Sequence, residues 1–174
     1  MRLFALLPLL GLLLGGCAGY HVGPIKPTRM ANINSLAITN FRNDTLTPRV
    51  EVLLADSLIK QIQQDGTFKI ARDHEGDAVV QGRLEEVIRT PVRSVRGNVF
   101  LTREFLLTLR CSYTVTNRST GELIDRQIVT GQTTFFVGGT SPIAADINQD
   151  ERQAFPLAAE NLAVKITSHL SEGW

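Results

Sequence analysis

The spacing of hydrophobic and polar residues changes several times along this chain, and each change marks an element. Leu3 to Leu14 is apolar without a charge. Tyr20 to Asn34 has two prolines, one glycine and little periodicity, which predicts an extended tether or a packed edge segment. Ser35 to Phe41 then alternates, with Leu36 and Ile38 on one face of a first strand. After a polar loop over 42–48, Val50, Leu53, Leu54, Leu58 and Ile62 recur at helical spacing. Thr47 and Pro48 read as the N-cap and first residue of that helix, and Asp65-Gly66 as its end.

The second half of the chain reads mainly as strands. Thr67 to Ala71 is short. From Asp77 to Arg89, Ala78, Val80, Gly82 and Leu84 share a face, and the alternation slips at Glu85-Glu86, which predicts a bulge. Leu101 to Thr116 alternates most regularly. Phe105, Leu107, Leu109, Cys111, Tyr113 and Val115 point one way, while Thr108, Arg110, Ser112, Thr114 and Thr116 point the other. A slip by one residue would expose the whole apolar row, so the register is firmly specified. Asn117 to Gly121 is a hairpin turn, and 122–137 returns with a kink expected at Gly131. A last helix is predicted from about Asp150 to Leu170, disturbed at Pro156. The order β-α-β-β-β-β-α makes an α+β two-layer sandwich, two helices on one face of a mixed, mostly antiparallel sheet.

The first residues change the cellular picture. Arg2, the apolar run and Leu14-Gly15-Gly16 before Cys17 have the layout of a signal peptide, too short for a convincing membrane span. Leu14-Gly15-Gly16-Cys17 resembles the lipobox of bacterial lipoproteins. That resemblance implies cleavage before Cys17 and acylation of its thiol, and Ala18 in the next position favours the outer membrane. One acyl chain holds a protein only marginally, at about 0.8 kcal/mol per buried methylene, whereas two or three hold it stably. The expected organisation is a signal peptide over 1–16, a lipidated tether over 17–34 and one domain over 35–174. Loss of Arg2 leaves 17 Lys+Arg against 17 Asp+Glu. Such a balance argues against a general nucleic-acid binder. Cys111 is then the one cysteine besides Cys17 and has no internal disulfide partner.

Catalytic patterns are missing from the sequence. His21, His74 and His169 have no companion at ligand spacing, and Glu85 and Glu86 are neighbours that point to opposite sides of a strand. No enzyme activity, metal or cofactor is expected. The segment from Arg89 to Arg103 carries more information. Arg89, Arg93, Arg96 and Arg103 stand in a run without acids, interleaved with Val92, Val95, Val99, Phe100 and Leu101. Arginine suits bidentate phosphate contact, so an anionic amphiphile fits this segment, and a solvated strand connection is the plain alternative.

Cys17-Ala-Gly-Tyr20, Leu36-Ala-Ile38, Asn40-Phe-Arg-Asn-Asp-Thr45, Asp65-Gly-Thr-Phe-Lys69, Asp77-Ala78 with Gly82, the strand from Glu104 to Thr116, Thr120-Gly121 and the terminal Gly173-Trp174 follow one another in this chain. In this order they resemble the LPS-assembly lipoprotein family LptE, over essentially all of the mature chain. An extra residue before Gly19 and Pro156 in the last helix depart from the common form. The resemblance implies a non-enzymatic outer-membrane lipoprotein that plugs the LptD β-barrel, helps it assemble and takes part in lipopolysaccharide transport. It implies a domain on the periplasmic side or within the barrel lumen. The polar row Thr108, Arg110, Ser112 and Thr114 is the surface expected to meet the barrel, and the four arginines are the expected lipopolysaccharide contacts. The competing expectation is a free-standing periplasm-facing lipoprotein that binds a small ligand or stabilises another envelope complex.

Overall fold

Residues 26–95, 98–136 and 144–172 are described by a computed structural model. In chain order the elements are β1 (Ser35–Ile38), β2 (Arg42–Asn43), α1 (Val50–Asp65), β3 (Lys69–Ala71), β4 (Ala78–Val95), β5 (Asn98–Asn117), β6 (Leu123–Phe136) and α2 (Ala144–Ser171). The strands form one mixed sheet in the order β3-β1-β4-β5-β6, with β2 pairing with β4 outside this path. β1 runs parallel to β3 and β4, while β4, β5 and β6 are antiparallel. α1 supplies the crossover that parallel β1 and β3 need.

The core lies between one sheet face and the two helices. Leu107, Leu109, Cys111 and Val115 on β5 are fully buried, together with Ala78, Val80 and Leu84 on β4. Leu54, Leu58 and Ile62 of α1 and Ala158, Leu162, Ile166 and Leu170 of α2 meet them in one cluster. Each large apolar side chain so buried contributes about 1.5–3 kcal/mol. The two-layer sandwich expected from the periodicity is the observed one.

Local detail differs in instructive places. The bulge is present: Leu84 pairs with Cys111 and Glu86 with Arg110, so Glu85 is the extra residue. Gly66 ends α1 with φ 74° and donates its N–H to the Ile62 carbonyl. The start of α1 is two residues later than Thr47-Pro48 suggested. Asn43 explains this. Its amide donates to the Thr47 carbonyl (2.8 Å) and to Glu51 Oε2 (2.6 Å), and its oxygen accepts from the N–H and hydroxyl of Thr45 (2.9 and 2.7 Å). This local side-chain bonding outcompetes an earlier helical turn. The chain enters α1 through Arg49 at φ 69°, in the left-handed region without being glycine. Residues 42–43, expected as loop, form β2.

Gly131 is not a kink. The β5–β6 register runs unbroken through Leu109–Gly131. A Cβ there would come within 2.2 Å of the Ala158 carbonyl and 2.5 Å of Leu162 Cβ, so glycine lets α2 lie directly on β6. Pro156 lies inside a single helix, Ala144–Ser171. The segment between Arg89 and Leu101 is not a connection either: β4 continues to Val95 and β5 begins at Asn98. Its β-branched and aromatic residues suit strands. Within 17–34, residues 26–34 belong to the domain. Met30 is fully buried and Ile33 nearly so. Lys26 stands 5.0 Å over the Phe68 ring and donates to the Ile33 carbonyl. The N–H groups of Asn34 and Ser35 each bond Asp77 Oδ2 at 2.9 Å, which holds that carboxyl below its ordinary range. The segment 1–16 expected as a signal peptide, Cys17 and residues 18–25 lie outside the described residues.

Candidate functional site

Both described helices cover the same side of the sheet, so among the described residues the other side of β4, β5 and β6 is open. The alternation that buries Leu107, Leu109 and Cys111 places Thr108, Arg110, Ser112 and Thr114 on this open side. Cross-strand register builds rows across it. Gln81, Thr114 and Arg126 form one row, Arg83, Ser112 and Ile128 the next, and Ile88, Thr108 and Gln132 a third.

Several polar groups of this face are matched. Gln132 Nε2 donates to Thr108 Oγ1 at 3.2 Å, which leaves Thr108 only 8% exposed. Arg110 meets Glu85 at 3.3 Å, and Arg83 meets Asp44 at 2.8 Å. Ile88, Ile128 and Phe136 interrupt the polar surface and are 42%, 56% and 63% exposed. A face of small hydroxyls, paired charges and a few apolar residues offers no reacting group. It suits a broad, partly wet contact with another polar wall.

Of the four arginines, Arg89 is held within the fold. Arg89 projects to the helix side of the sheet, where its Nε bonds Glu151 of α2. Glu151 is 6% exposed, so this pair closes the edge of the core. Arg93 lies on β4 in register with Glu104 of β5, and Arg103 lies on β5 by its backbone. Arg96 lies outside the described residues. Arg89, from the run without acids in sequence, therefore faces an acid of another element. Glu151 carried one readable signal, since it stands on the same helical stripe as Phe155, Ala158 and Leu162. An acid on an apolar stripe asks for a buried partner.

A second polar group escaped the sequence reading. Asp125 is buried on the inward row of β6 and accepts from the Tyr113 hydroxyl at 3.2 Å. Arg29 reaches Asp125 at 3.4 Å and donates to the His169 carbonyl at 3.2 Å. His169 Nδ1 is 3.5 Å from the same Tyr113 hydroxyl. Burial, aided by the Asp125 charge, pushes the Tyr113 phenol above its ordinary range. The group ties residues 26–34 to β5, β6 and the end of α2. Its aspartate is taken up by Arg29 and Tyr113, so the arrangement is a structural latch. Burial also pushes the Cys111 thiol up to about 12, which makes it a protonated core residue. His74 sits in the turn before β4. His21 lies outside the described residues.

Comparison with known proteins was then decisive for kinship. The family model described as "LptE: Lipopolysaccharide-assembly" matches residues 33–170. No curated protein matches. Among solved structures, protein XCC0632 from Xanthomonas campestris aligns with TM-score 0.54 at 12% identity, covering 80% of this chain and 86% of its own. The PelC dodecamer from Paraburkholderia phytofirmans aligns at 0.52 and 18% identity, covering 87% and 96%. A minor lipoprotein from Acinetobacter baumannii aligns at 0.51 and 20% identity, covering 80% and 92%. At these identities the structures share the fold with this chain.

Proposed function

We propose a function from one premise: the chain belongs to the LptE, lipopolysaccharide-assembly, family. On this reading it is a non-enzymatic lipoprotein of the outer membrane, held there by acyl chains on Cys17. Its domain seats within the lumen of an LptD-like β-barrel, helps that barrel assemble and takes part in moving lipopolysaccharide to the cell surface. The observation that carries the proposal is the open sheet face. Thr108 and Arg110, matched by Gln132 and Glu85, stand with Ser112 and Thr114 on a side that neither described helix covers. The interior wall of an outer-membrane barrel is polar, and such a wall and such a face can meet without stripping charges of their partners. Arg93 and Arg103, toward the far end of the β4–β5 hairpin, and Arg96 remain the proposed contacts for lipid phosphates. Arg89 contributes to that end mainly by fixing α2 through Glu151.

Purification of the acylated full-length protein from outer membranes tests the proposal. A large barrel recovered in one-to-one amount is the expected result. A lone monomer would instead support the free-standing lipoprotein. Cys17→Ser should abolish labelling by radioactive palmitate, and a labelled variant would contradict the anchor.

A further inference from the structure

β1 and β2 together pair with β4 only as far as Leu84, and among the described residues that edge of β4 is then vacant. β1 pairs with residues 78–80 and β2 with 83–84. The last backbone bond on this edge runs from the Asp44 N–H to the Leu84 carbonyl at 3.0 Å. The chain then turns away into α1, while β4 continues to Val95. Among the described residues no backbone group bonds the edge beyond Leu84. The bulge at Glu85 shifts the alternation by one residue. Val87, Arg89 and Pro91 therefore carry their side chains on the helix side and aim their backbone groups at the vacant edge. Pro91 fits this assignment, because only an edge strand tolerates a residue without an N–H.

Beside that edge lies a cavity of about 590 Å³ between the start of α1 and α2, and Arg89 borders both. Leu46, Pro48, Leu53 and Phe155 contribute apolar wall, and Arg49 and Arg152 stand in its lining as well. Leu46 is fully exposed, and nothing in the folded chain uses it. The charge of Arg89 is answered by Glu151, whereas Arg49 and Arg152 make no ion pair among the described residues. The slot is thus apolar, net cationic and flanked by unused strand hydrogen bonds. Arg49 is also the one non-glycine residue with positive φ among the described residues, at 69°. Strain of that kind is retained where the surrounding loop holds it in place.

We infer that this slot accepts an extended segment of a protein partner, which adds as a strand to β4 along residues 86–91. Apolar side chains of the segment would enter the cavity at every second residue, and an acidic side chain would meet Arg49 and Arg152. Main-chain bonds supply affinity in this mode of recognition, and the alternating pocket supplies selectivity. The inference stands apart from the barrel reading, which uses the opposite face of the sheet.

The acylated full-length protein in detergent would be titrated with a short acetylated peptide that carries leucine, leucine and aspartate at every second position, on the face toward the cavity, and threonine between them. Three results are expected. Hydrogen exchange slows at residues 86–91 on binding. The double variant Arg49→Glu, Arg152→Glu binds at least about tenfold more weakly. A peptide N-methylated at alternate amides loses binding, and this control leaves the protein untouched. Equal binding of the N-methylated peptide, protection elsewhere, or no binding would overturn the inference. So would a dimer of this chain whose β4 edge is already protected without peptide, since that assigns the edge to a second copy.

Discussion

Leu109 and Thr108 are adjacent on β5 and carry opposite energetic roles. Leu109 is fully buried in the shared core, and Thr108 lies on the open face with one hydrogen bond from Gln132. Leu109→Ala should cost about 2–5 kcal/mol, since it removes buried methyl groups and leaves a cavity. Thr108→Ala forfeits a single hydrogen bond, worth about 0.5–1.5 kcal/mol. Equilibrium urea unfolding of the two variants checks the contrast, and equal losses would reverse the two faces. Cys111 gives a prediction about pH. Its thiol moves from an ordinary 9.0 to about 12 because burial disfavours the thiolate. Between those values the unfolded chain releases a proton that the folded chain keeps, so stability falls as pH rises from about 9 to about 12. Tyr113 is raised in the same sense and adds to the fall above about pH 10. Unfolding measured across that range should show a shallower slope for Cys111→Ala, whatever its stability at neutral pH.

At the scale of elements, the decisive contact is α2 against β6. Ala158, Leu162 and Gly131 meet so closely that a Cβ on Gly131 would sit 2.2 Å from a helix carbonyl. Gly131→Ala should therefore cost about 1–3 kcal/mol through a forced backbone shift, measurable as a lower urea midpoint. The same approach protects the sheet edge. Asn161 Oδ1 accepts the Gln132 N–H at 3.1 Å, and Lys165 donates to the Thr130 carbonyl at 2.7 Å. These bonds occupy part of an edge that would otherwise invite another strand. What could be read in advance follows from these contacts. The rows of β4 and β5 and the stripe of α1 were legible because burial on one face imposes a period. The bulge at Glu85 was legible as a break in that period. Gly131 was noticed and assigned a kink, because its cause is a neighbour that lies elsewhere in sequence. The late start of α1 was hidden for a related reason, since Asn43 reaches across the loop to Thr47 and Glu51. Arg89 looked like part of a free cationic run because Glu151, its partner, is on another element.

At the scale of the molecule, the chain has a closed side and an open side, and its two ends differ. The latch of Arg29, Asp125, Tyr113 and His169 fastens residues 26–34 to the end of the sheet where β6 begins. The β4–β5 hairpin lies at the opposite end, with Arg93 and Arg103 on its strands. Kinship with the lipopolysaccharide-assembly family was legible in dispersed motifs and the polar row of β5 in its alternation, whereas the residues of β4 and β6 that stand beside that row follow only from the sheet order. The most direct test of that face is site-specific photocrosslinking in cells. A benzophenone amino acid would be placed at Ser112 or Thr114 on the open face and, separately, at the exposed Glu160 of α2. The account predicts strong crosslinks from Ser112 and Thr114 to the interior strands of an LptD-like barrel, and weaker ones from Glu160. Crosslinks from Glu160 alone, or none to any barrel from Ser112 and Thr114, would contradict it.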